Sequence, residues 1–152
     1  MKFTIENFGI TLSIPNNYNL VKREDVNPEQ NLSPFLFACV GANRMITATA
    51  TPQVKNLSPQ QTVQKNLNNL TKFNENKLEI KFLVDDIENN VIEVIIEQNN
   101  DIIIQIYYFF ESIIICLTGN APKTGVVSEE SYIDYAVYDD MYKIIKTITI
   151  ND

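Results

Sequence analysis

Four short apolar runs decide the fold of this chain: KLEIKFLV (77–84), VIEVIIEQ (91–98), DIIIQIYYFF (101–110) and SIIICLTG (112–119). In the first two runs apolar side chains recur at every second position, as at Ile92, Val94 and Ile96. This period of two, with many β-branched and aromatic residues, is typical of β-strands. Because only a few residues separate the runs, we expect neighbouring strands to pair as an antiparallel meander.

Two hairpins are expected before this meander. Residues 3–14 alternate in the same way until Pro15 ends the second strand. The runs PFLFACVGA (34–42) and RMITATATP (44–52) predict a second hairpin. In RMITATATP the alanines and threonines alternate, so the threonines share one face of the strand. The polar segment 16–33 between the hairpins should be a loop.

Two amphipathic helices complete the chain. Ser58, Pro59 and Gln61 match the start of a helix with a capping box, and Ser128 followed by two glutamates matches a second start. One face of the second helix is expected to carry Ile133, Val137, Met141, Ile144 and Ile148. The order of elements predicts an α+β fold, with an antiparallel sheet of about six or seven strands and two helices. We expect a single domain over residues 1–152.

The composition argues against several classes of function. The chain has 152 residues, a net charge of −7 and no histidine. The negative charge disfavours nucleic-acid binding, which needs clustered Lys and Arg. The lack of histidine removes Ser-His-Asp and Cys-His catalysis, and the sequence has no phosphate-binding loop or EF-hand pattern. We therefore expect no enzyme activity, no catalytic residue, no metal and no cofactor.

The chain is expected to be cytoplasmic. Its opening residues, MKFTIENFGI, lack the charged region and apolar core of a signal peptide. No apolar run reaches the ~18 residues of a membrane helix, so no stable membrane insertion is expected. Cys39 and Cys116 lie in apolar runs and are expected to be buried, reduced thiols.

Acidic residues are expected at solvated positions. Glu93 and Glu97 share one face of their strand and should lie on the solvent side. Asp139 and Asp140 should lie on the surface of the second helix. Paired acids of this kind give no specific indication of a metal or catalytic site.

The tyrosines of the last helix are a candidate binding feature. Tyr132, Tyr135, Tyr138 and Tyr142 share one side of the helix at ~100° per residue. They form either a flank that packs on a loop or the aromatic rim of a binding surface, where tyrosine is enriched.

The run at 101–110 is apolar on both faces and must be covered on both. Two helices can cover one face; the first hairpin, the long loop, a second subunit or a client would cover the other. We expect Ile95 and Tyr107 to be among the residues that face outward on this second face. A large exposed apolar patch usually marks an interface, so this face is expected to bind a protein. The candidate partner-binding residues are Ile95, Ile103, Tyr107, Phe109, Tyr135, Tyr138 and Tyr142.

The opening FTIENFGITLSIPNNY (3–18) resembles that of the PsbP-like α/β/α sandwich proteins: a strand, a glycine turn, a strand ending in Ile-Pro and then an aromatic residue. The single helix before a long meander and the closing helix match that layout too. The superfamily includes the photosystem II PsbP protein, a Ran-binding nuclear-import factor, DcrB-like bacterial proteins and the Eag chaperones of type VI secretion effectors. Without a signal sequence, the cytosolic chaperone branch is the better match. The resemblance implies a sandwich fold and a chaperone that shields an apolar client segment.

Two classes of function follow from these patterns. The favoured one is a non-catalytic protein-binding domain, a bacterial cytosolic chaperone or adaptor. Its expected partners are a protein client or secreted effector and a second copy of the chain in a homodimer. The alternative is an immunity protein or a carrier of a lipophilic ligand, with a pocket between sheet and helices. A free apolar sheet face would favour the first, and a closed pocket in a monomer the second.

Overall fold

The computed structural model describes residues 2–5, 8–21, 35–39, 42–73 and 78–150. This part of the chain contains ten β-strands and two α-helices. In chain order they are β1 (Lys2–Ile5), β2 (Ile10–Ser13), β3 (Tyr18–Leu20), β4 (Phe35–Cys39), β5 (Met45–Pro52), α1 (Pro59–Phe73), β6 (Leu78–Asp86), β7 (Val91–Gln98), β8 (Asp101–Phe110), β9 (Ile113–Pro122), α2 (Ala136–Ile145) and β10 (Thr149–Ile150). Two short 3-10 turns, Ile87–Asn89 and Tyr132–Asp134, precede β7 and α2.

The strands form two antiparallel sheets. The larger has seven strands in the order β3-β4-β5-β9-β8-β7-β6, and the smaller has the order β1-β2-β10. Strands β6 to β9 are neighbours in sequence order, so the predicted meander is confirmed. β5 pairs with β9 from Met45 opposite Asn120 to Pro52 opposite Ile113, which joins the second hairpin to the meander. The predicted α+β fold, with about seven strands in the sheet and two helices, is confirmed.

The two helices pack on opposite faces of the larger sheet. α1 buries Val63 and Leu67 against the face that carries Ile92 of β7. α2 buries Met141 in the cluster that contains Ile95 of the same strand. Ile92 and Ile95 belong to opposite faces because side chains alternate along a strand. The expectation that both helices cover one face is therefore wrong, and the chain itself covers both sides of β8.

The three-stranded sheet adds to the α2 side. Ile10 and Leu12 of β2 are buried in the same cluster as α2. The backbone N–H of Ser13 donates a 2.9 Å hydrogen bond to the hydroxyl of Thr147, just beyond the end of α2. β10 then pairs with β2. The first hairpin therefore holds the end of α2 against the core.

The start of α1 is as predicted. Ser58 Oγ accepts a 3.1 Å hydrogen bond from the backbone N–H of Gln61. Gln61 Oε1 in turn accepts a 2.9 Å hydrogen bond from the backbone N–H of Ser58. This capping box satisfies two donors that would otherwise lack a partner at the helix N-terminus.

The start of α2 differs from the prediction. The hydroxyl of Ser128 accepts a 3.2 Å hydrogen bond from the backbone N–H of Ser131, so it closes a turn rather than capping the helix. Tyr135 has an extended backbone, with φ −70° and ψ 128°, and α2 begins only at Ala136. Ile133 consequently lies before the helix and is 45% exposed, instead of joining the buried stripe.

The predicted loop at 16–33 is only partly described. Residues 22–33 lie outside the described residues. Within the rest, Tyr18–Leu20 forms β3 at one edge of the larger sheet, paired with β4. Tyr18 is fully buried, so this segment contributes to the core.

Gly119 of β9 permits a close approach of α2. A Cβ atom at this position would lie 2.5 Å from Met141 Sδ and 2.8 Å from Val137 Cγ2. Carbon atoms in a packed core do not approach so closely. A side chain at position 119 would therefore force Met141 and Val137 of α2 to shift.

The described residues also bear on three expectations about membranes, metals and thiols. None of their helices combines the length and apolar character needed to cross a membrane. They contain no cluster of three or more potential metal-binding side chains. Cys39 and Cys116 belong to clusters on opposite faces of the sheet and form no disulfide with each other.

Candidate functional site

The strand residues predicted to bind a partner are divided between the two faces of the sheet. Ile95 faces α2, whereas Ile103, Tyr107 and Phe109 face α1. Ile95, Tyr107 and Phe109 are 0%, 2% and 5% exposed. The expectation that Ile95 and Tyr107 face outward is therefore wrong, because each face of the sheet carries its own helix. Ile103 is half-buried, and a partner role for the whole set stays a prediction.

Glu93 is the centre of a tyrosine cluster on the α2 face. Its side chain is buried and accepts hydrogen bonds from the hydroxyls of Tyr132 (2.7 Å), Tyr138 (2.9 Å) and Tyr142. The prediction that Glu93 lies on the solvent side is wrong, since α2 covers this part of β7. Tyr135 is separate, and its hydroxyl accepts a 3.5 Å hydrogen bond from a backbone N–H in the loop after β9. Tyr132, Tyr138 and Tyr142 therefore hold α2 and the 3-10 turn before it against β7.

The surroundings of these hydroxyls keep them protonated. Burial, followed by the hydrogen bond to Glu93, raises the pKa of Tyr132, Tyr138 and Tyr142 above the usual tyrosine value. Only a protonated phenol can donate to a carboxylate. The cluster is therefore a set of fixed hydrogen bonds at neutral pH rather than a proton-exchanging site.

Asp140, in the middle of α2, forms a second buried polar network. Its carboxylate accepts a 2.6 Å hydrogen bond from the hydroxyl of Tyr18. Arg44 lies 3.7 Å from it and Lys143 3.9 Å from it. Asp140 is only 6% exposed, so its expected position on the helix surface is wrong. This network ties β3 and the start of β5 to α2, and its charges are already paired within the chain.

An open groove lies beside α1 on the opposite face of the sheet. It consists of hollows of about 490 Å³ and about 230 Å³ that share Leu70, Gln105 and Thr118. It lies beside the second half of α1, over β5, β9 and β8, and its smaller hollow extends to β7 and the start of β6. We call it the α1 groove. Its lining residues are Thr47, Thr49, Thr51, Asn66, Asn69, Leu70, Leu78, Ile96, Gln98, Ile103, Gln105, Tyr107, Ile114, Cys116, Thr118 and Asn120.

Strand register places the floor of the α1 groove in rows. One row runs from Thr49 of β5 through Cys116 of β9 to Tyr107 of β8. The next row is formed by Thr47, Thr118 and Gln105. Side chains opposite each other on paired strands lie close together on one face. The floor is therefore continuous across three strands.

Hydrogen bonds within the floor hold its side chains in place. The hydroxyl of Tyr107 donates a 2.9 Å hydrogen bond to Gln105 Oε1, and that of Thr49 donates a 3.4 Å hydrogen bond to the carbonyl of Cys116. Burial raises the pKa of the Cys116 thiol to about 11. A thiol that stays protonated at neutral pH is a poor nucleophile. Cys116 is therefore poorly suited to act as a nucleophile at neutral pH.

The α1 groove differs from the rest of the chain in charge. Charged residues make up 20% of the sequence, yet none of the described residues that line the groove is charged. Two of the predicted partner-binding residues, Ile103 and Tyr107, line the groove. The threonines of β5 were not predicted as site residues. Their alternation with alanine in RMITATATP was a usable signal, because a face of small polar side chains is seldom packed under a helix.

Comparison with known proteins places the fold. No protein-family model and no curated protein matches this chain. The Ran-binding protein Mog1p of Saccharomyces cerevisiae aligns over 100% of this chain and 95% of its own, with a TM-score of 0.68 and 12% identity. Cyanobacterial PsbP (CyanoP) from Synechocystis sp. PCC 6803 aligns over 99% and 92%, with a TM-score of 0.62 and 8% identity.

LpqN of Mycobacterium tuberculosis, described as involved in cell envelope biogenesis, also aligns with this chain. The alignment covers 100% of this chain and 90% of LpqN, with a TM-score of 0.56 and 13% identity. At such identities the likeness shows the fold alone. The chain therefore has the sandwich fold that Mog1p and CyanoP share, as its opening sequence led us to expect.

Proposed function

We propose that this chain is a non-catalytic protein-binding domain and that the α1 groove is its binding surface. The observation behind this is the groove itself, an open hollow beside α1 in which none of the described lining residues is charged. Binding sites are usually concave, with a few polar groups that fix the orientation of the ligand.

The fold neighbours support the same class of function. Mog1p is described as a Ran-binding protein, so this fold occurs in a protein that binds another protein. The 12% identity transfers no residue roles from Mog1p to this chain. The support is therefore for the class of function and not for the same partner.

Within this class we favour a cytoplasmic bacterial chaperone or adaptor whose client is a segment of a secreted effector. The α1 groove offers the half-buried side chains of Leu78 and Ile103 to an apolar client segment. Because helices cover both faces of the sheet, we place the client in this groove rather than on a whole sheet face. We expect any homodimer to leave the groove accessible, since a copy seated on it would exclude the client.

A carrier of a small lipophilic ligand is the second candidate. The larger hollow, about 490 Å³, falls within the range of ~300–1,000 Å³ that is typical of ligand pockets. A closed pocket would have favoured this function, whereas the groove is open to solvent along one side. An immunity protein would use the same groove to hold a toxin. These alternatives differ from the favoured one in what occupies the groove, not in where it binds.

The test is a substitution at the centre of the floor. Thr49→Arg places a long charged side chain in the open groove, where it should block a partner without disturbing the buried core. Thr4→Arg is the matched control, because Thr4 is an exposed strand residue of the smaller sheet and does not line the groove. Each variant would be expressed at native level, and co-purifying proteins would be identified by mass spectrometry.

We expect wild type and Thr4→Arg to retain the same specific partner and Thr49→Arg to lose it, with equal denaturant midpoints for all three. Retention of that partner by Thr49→Arg would contradict the proposal. If Thr49→Arg is less stable, Thr49→Lys provides the same charge in a more flexible side chain and keeps the test decisive.

A further inference from the structure

The outer edge of β6 is a surface separate from the α1 groove. Of the described strands only β7 pairs with β6, which has nine residues, whereas β3 at the other end of the sheet has three. None of the residues from Phe82 to Asp86 lines the groove. We propose that this edge adds an extended strand of a partner protein, which carries an apolar residue opposite Leu83 and a basic residue opposite Asp85.

The second half of β6 is the part suited to strand addition. In the first half a bulge lies between Ile80 and Phe82, and Lys81 lies 3.1 Å from Glu79. Bulges and lysines protect sheet edges from further pairing. From Phe82 to Asp86 the register with β7 is regular, and neither feature occurs. Every second residue of an edge strand turns its N–H and C=O groups away from its one neighbour, at a spacing that another extended chain matches.

Leu83 gives this edge an exposed apolar contact. Its side chain is 45% exposed, although it lies opposite the buried Val94 of β7. Because Val94 belongs to the cluster on the α1 face, Leu83 lies on that face as well. A strand paired with β6 would place a side chain beside Leu83 and remove apolar area from water, which is favourable.

Asp85 and Asp86 favour a basic partner strand. Both are exposed, and no described basic residue forms an ion pair with either of them. Asp85 accepts 3.1 Å hydrogen bonds from Gln60 Nε2 and from the backbone N–H of Ile87, which hold its carboxylate in place. Opposite charges on directly opposed residues stabilise strand pairing, and like charges destabilise it.

A second copy of the chain is a poor match for this edge. Antiparallel pairing of two β6 strands about Asp85 would set the two Asp85 carboxylates opposite each other. Pairing about Val84 would set each Asp85 opposite a Leu83, and pairing about Leu83 would reach the bulge after one further residue on each side. The net charge of −7 on each chain adds to the repulsion. A basic strand from a different protein avoids these conflicts.

The test measures binding of a short fluorescent peptide with Lys-Arg-Val-Ile-Val at its centre to the purified full chain. Read from its N-terminus, this strand would lie antiparallel to β6, with its basic residues opposite Asp86 and Asp85. Leu83→Lys removes the apolar contact and adds a like charge, so affinity should fall about tenfold or more. Met45→Lys is the matched control, since Met45 is 42% exposed on β5, separated from β6 by three strands. Should Leu83→Lys lower the denaturant midpoint, Leu83→Thr removes the same contact with a residue that favours strands.

Two further measurements identify the mode of binding. Asp85→Asn keeps an acceptor for Ile87 but removes the charge, so it should weaken the peptide several-fold at low salt. Glu88→Gln, which alters an exposed acid outside β6, should have no such effect. The bound peptide should slow deuterium exchange of amides within residues 82–86 and leave β5 unchanged.

The proposal is overturned if wild type does not bind the peptide at concentrations up to about 1 mM, or if Leu83→Lys and Met45→Lys bind it equally. Binding without protection of residues 82–86, or equal effects of Asp85→Asn and Glu88→Gln, would overturn it as well. None of these results bears on the α1 groove, which Thr49→Arg tests separately. A native partner that Thr49→Arg retains and Leu83→Lys loses would contradict the proposed role of the groove and support the β6 edge.

Discussion

The hydroxyl of Tyr132 donates a 2.7 Å hydrogen bond to the carboxylate of Glu93, 39 positions earlier in the chain. Tyr138 and Tyr142 donate to the same carboxylate. A buried carboxylate needs such donors because it has lost its hydration. This convergence joins α2, at the end of the chain, to the middle of the meander.

Replacement of Glu93 tests the importance of this cluster. Glu93→Ala leaves three hydroxyls without their acceptor and opens a cavity, so we expect the free energy of unfolding to fall by about 2–4 kcal/mol. Glu79→Ala is the control on the neighbouring strand β6, where the exposed carboxylate lies 3.1 Å from Lys81 Nζ in a surface ion pair. That change should cost about 1 kcal/mol or less. Equal urea midpoints for the two variants would show that the cluster does not stabilise the fold.

Alkaline pH should destabilise the protein through its buried tyrosines. Burial, together with the hydrogen bond that Glu93 accepts from each hydroxyl, raises the pKa of Tyr132, Tyr138 and Tyr142 in the folded state. In the unfolded state the pKa of tyrosine is about 10. Below pH ~10 both states keep these protons and the stabilisation is complete. Above it the unfolded state loses them first, so the free energy of unfolding falls as pH rises.

The measurement is a series of urea unfolding curves between pH 8 and about 11. The decline should be shallower for Tyr138→Phe, which removes one of the shifted groups. A free energy of unfolding that is constant or rises over this range would contradict the assignment of protonated, buried tyrosines.

Loss of the cap should weaken α1. Ser58→Ala removes the acceptor for the backbone N–H of Gln61 and should lower the free energy of unfolding by about 1 kcal/mol. Gln64→Ala is a suitable control because Gln64 is exposed in the same helix and contacts Asn68 at the surface. Denaturant midpoints compare the two. An unchanged midpoint for Ser58→Ala would mean that the cap contributes nothing.

A side chain at position 119 should destabilise the fold. Gly119→Ala places a methyl group against Met141 and Val137 and should cost about 1–3 kcal/mol by overpacking. In the double variant with Val137→Ala, the space vacated by valine should accept the methyl, so the two effects should be less than additive. Full additivity in thermal or urea unfolding would mean that α2 moves away instead of clashing.

Most of the fold could be predicted because its signals are local. The alternation at Ile92 and Val94 is a property of a few adjacent residues, and so is the capping box at Ser58. The predicted start of α2 was wrong because the extended backbone of Tyr135 interrupts a sequence that otherwise favours helix. Tertiary contacts can override local helix propensity, and a local sequence pattern carries no information about them.

The candidate site was harder to predict for the same reason. Glu93 alternates like a surface residue, and its burial depends on tyrosines about 40 positions away. The threonine face of β5 could be identified, but its accessibility depends on where α1 crosses the sheet. The alternation along β8 placed Ile103 and Tyr107 on one face, as observed, but Tyr107 is buried in the floor rather than on the surface, and a binding role for either residue stays a prediction.

Site-specific photo-crosslinking in living cells would show directly whether a protein partner occupies the α1 groove. A benzophenone amino acid would replace Thr49 in the floor of the α1 groove or, as control, Thr4 on the smaller sheet. We expect the Thr49 position to form a covalent adduct with one defined protein and the Thr4 position to form none. An adduct with that protein from Thr4 and none from Thr49 would contradict the proposal that the α1 groove is the binding surface.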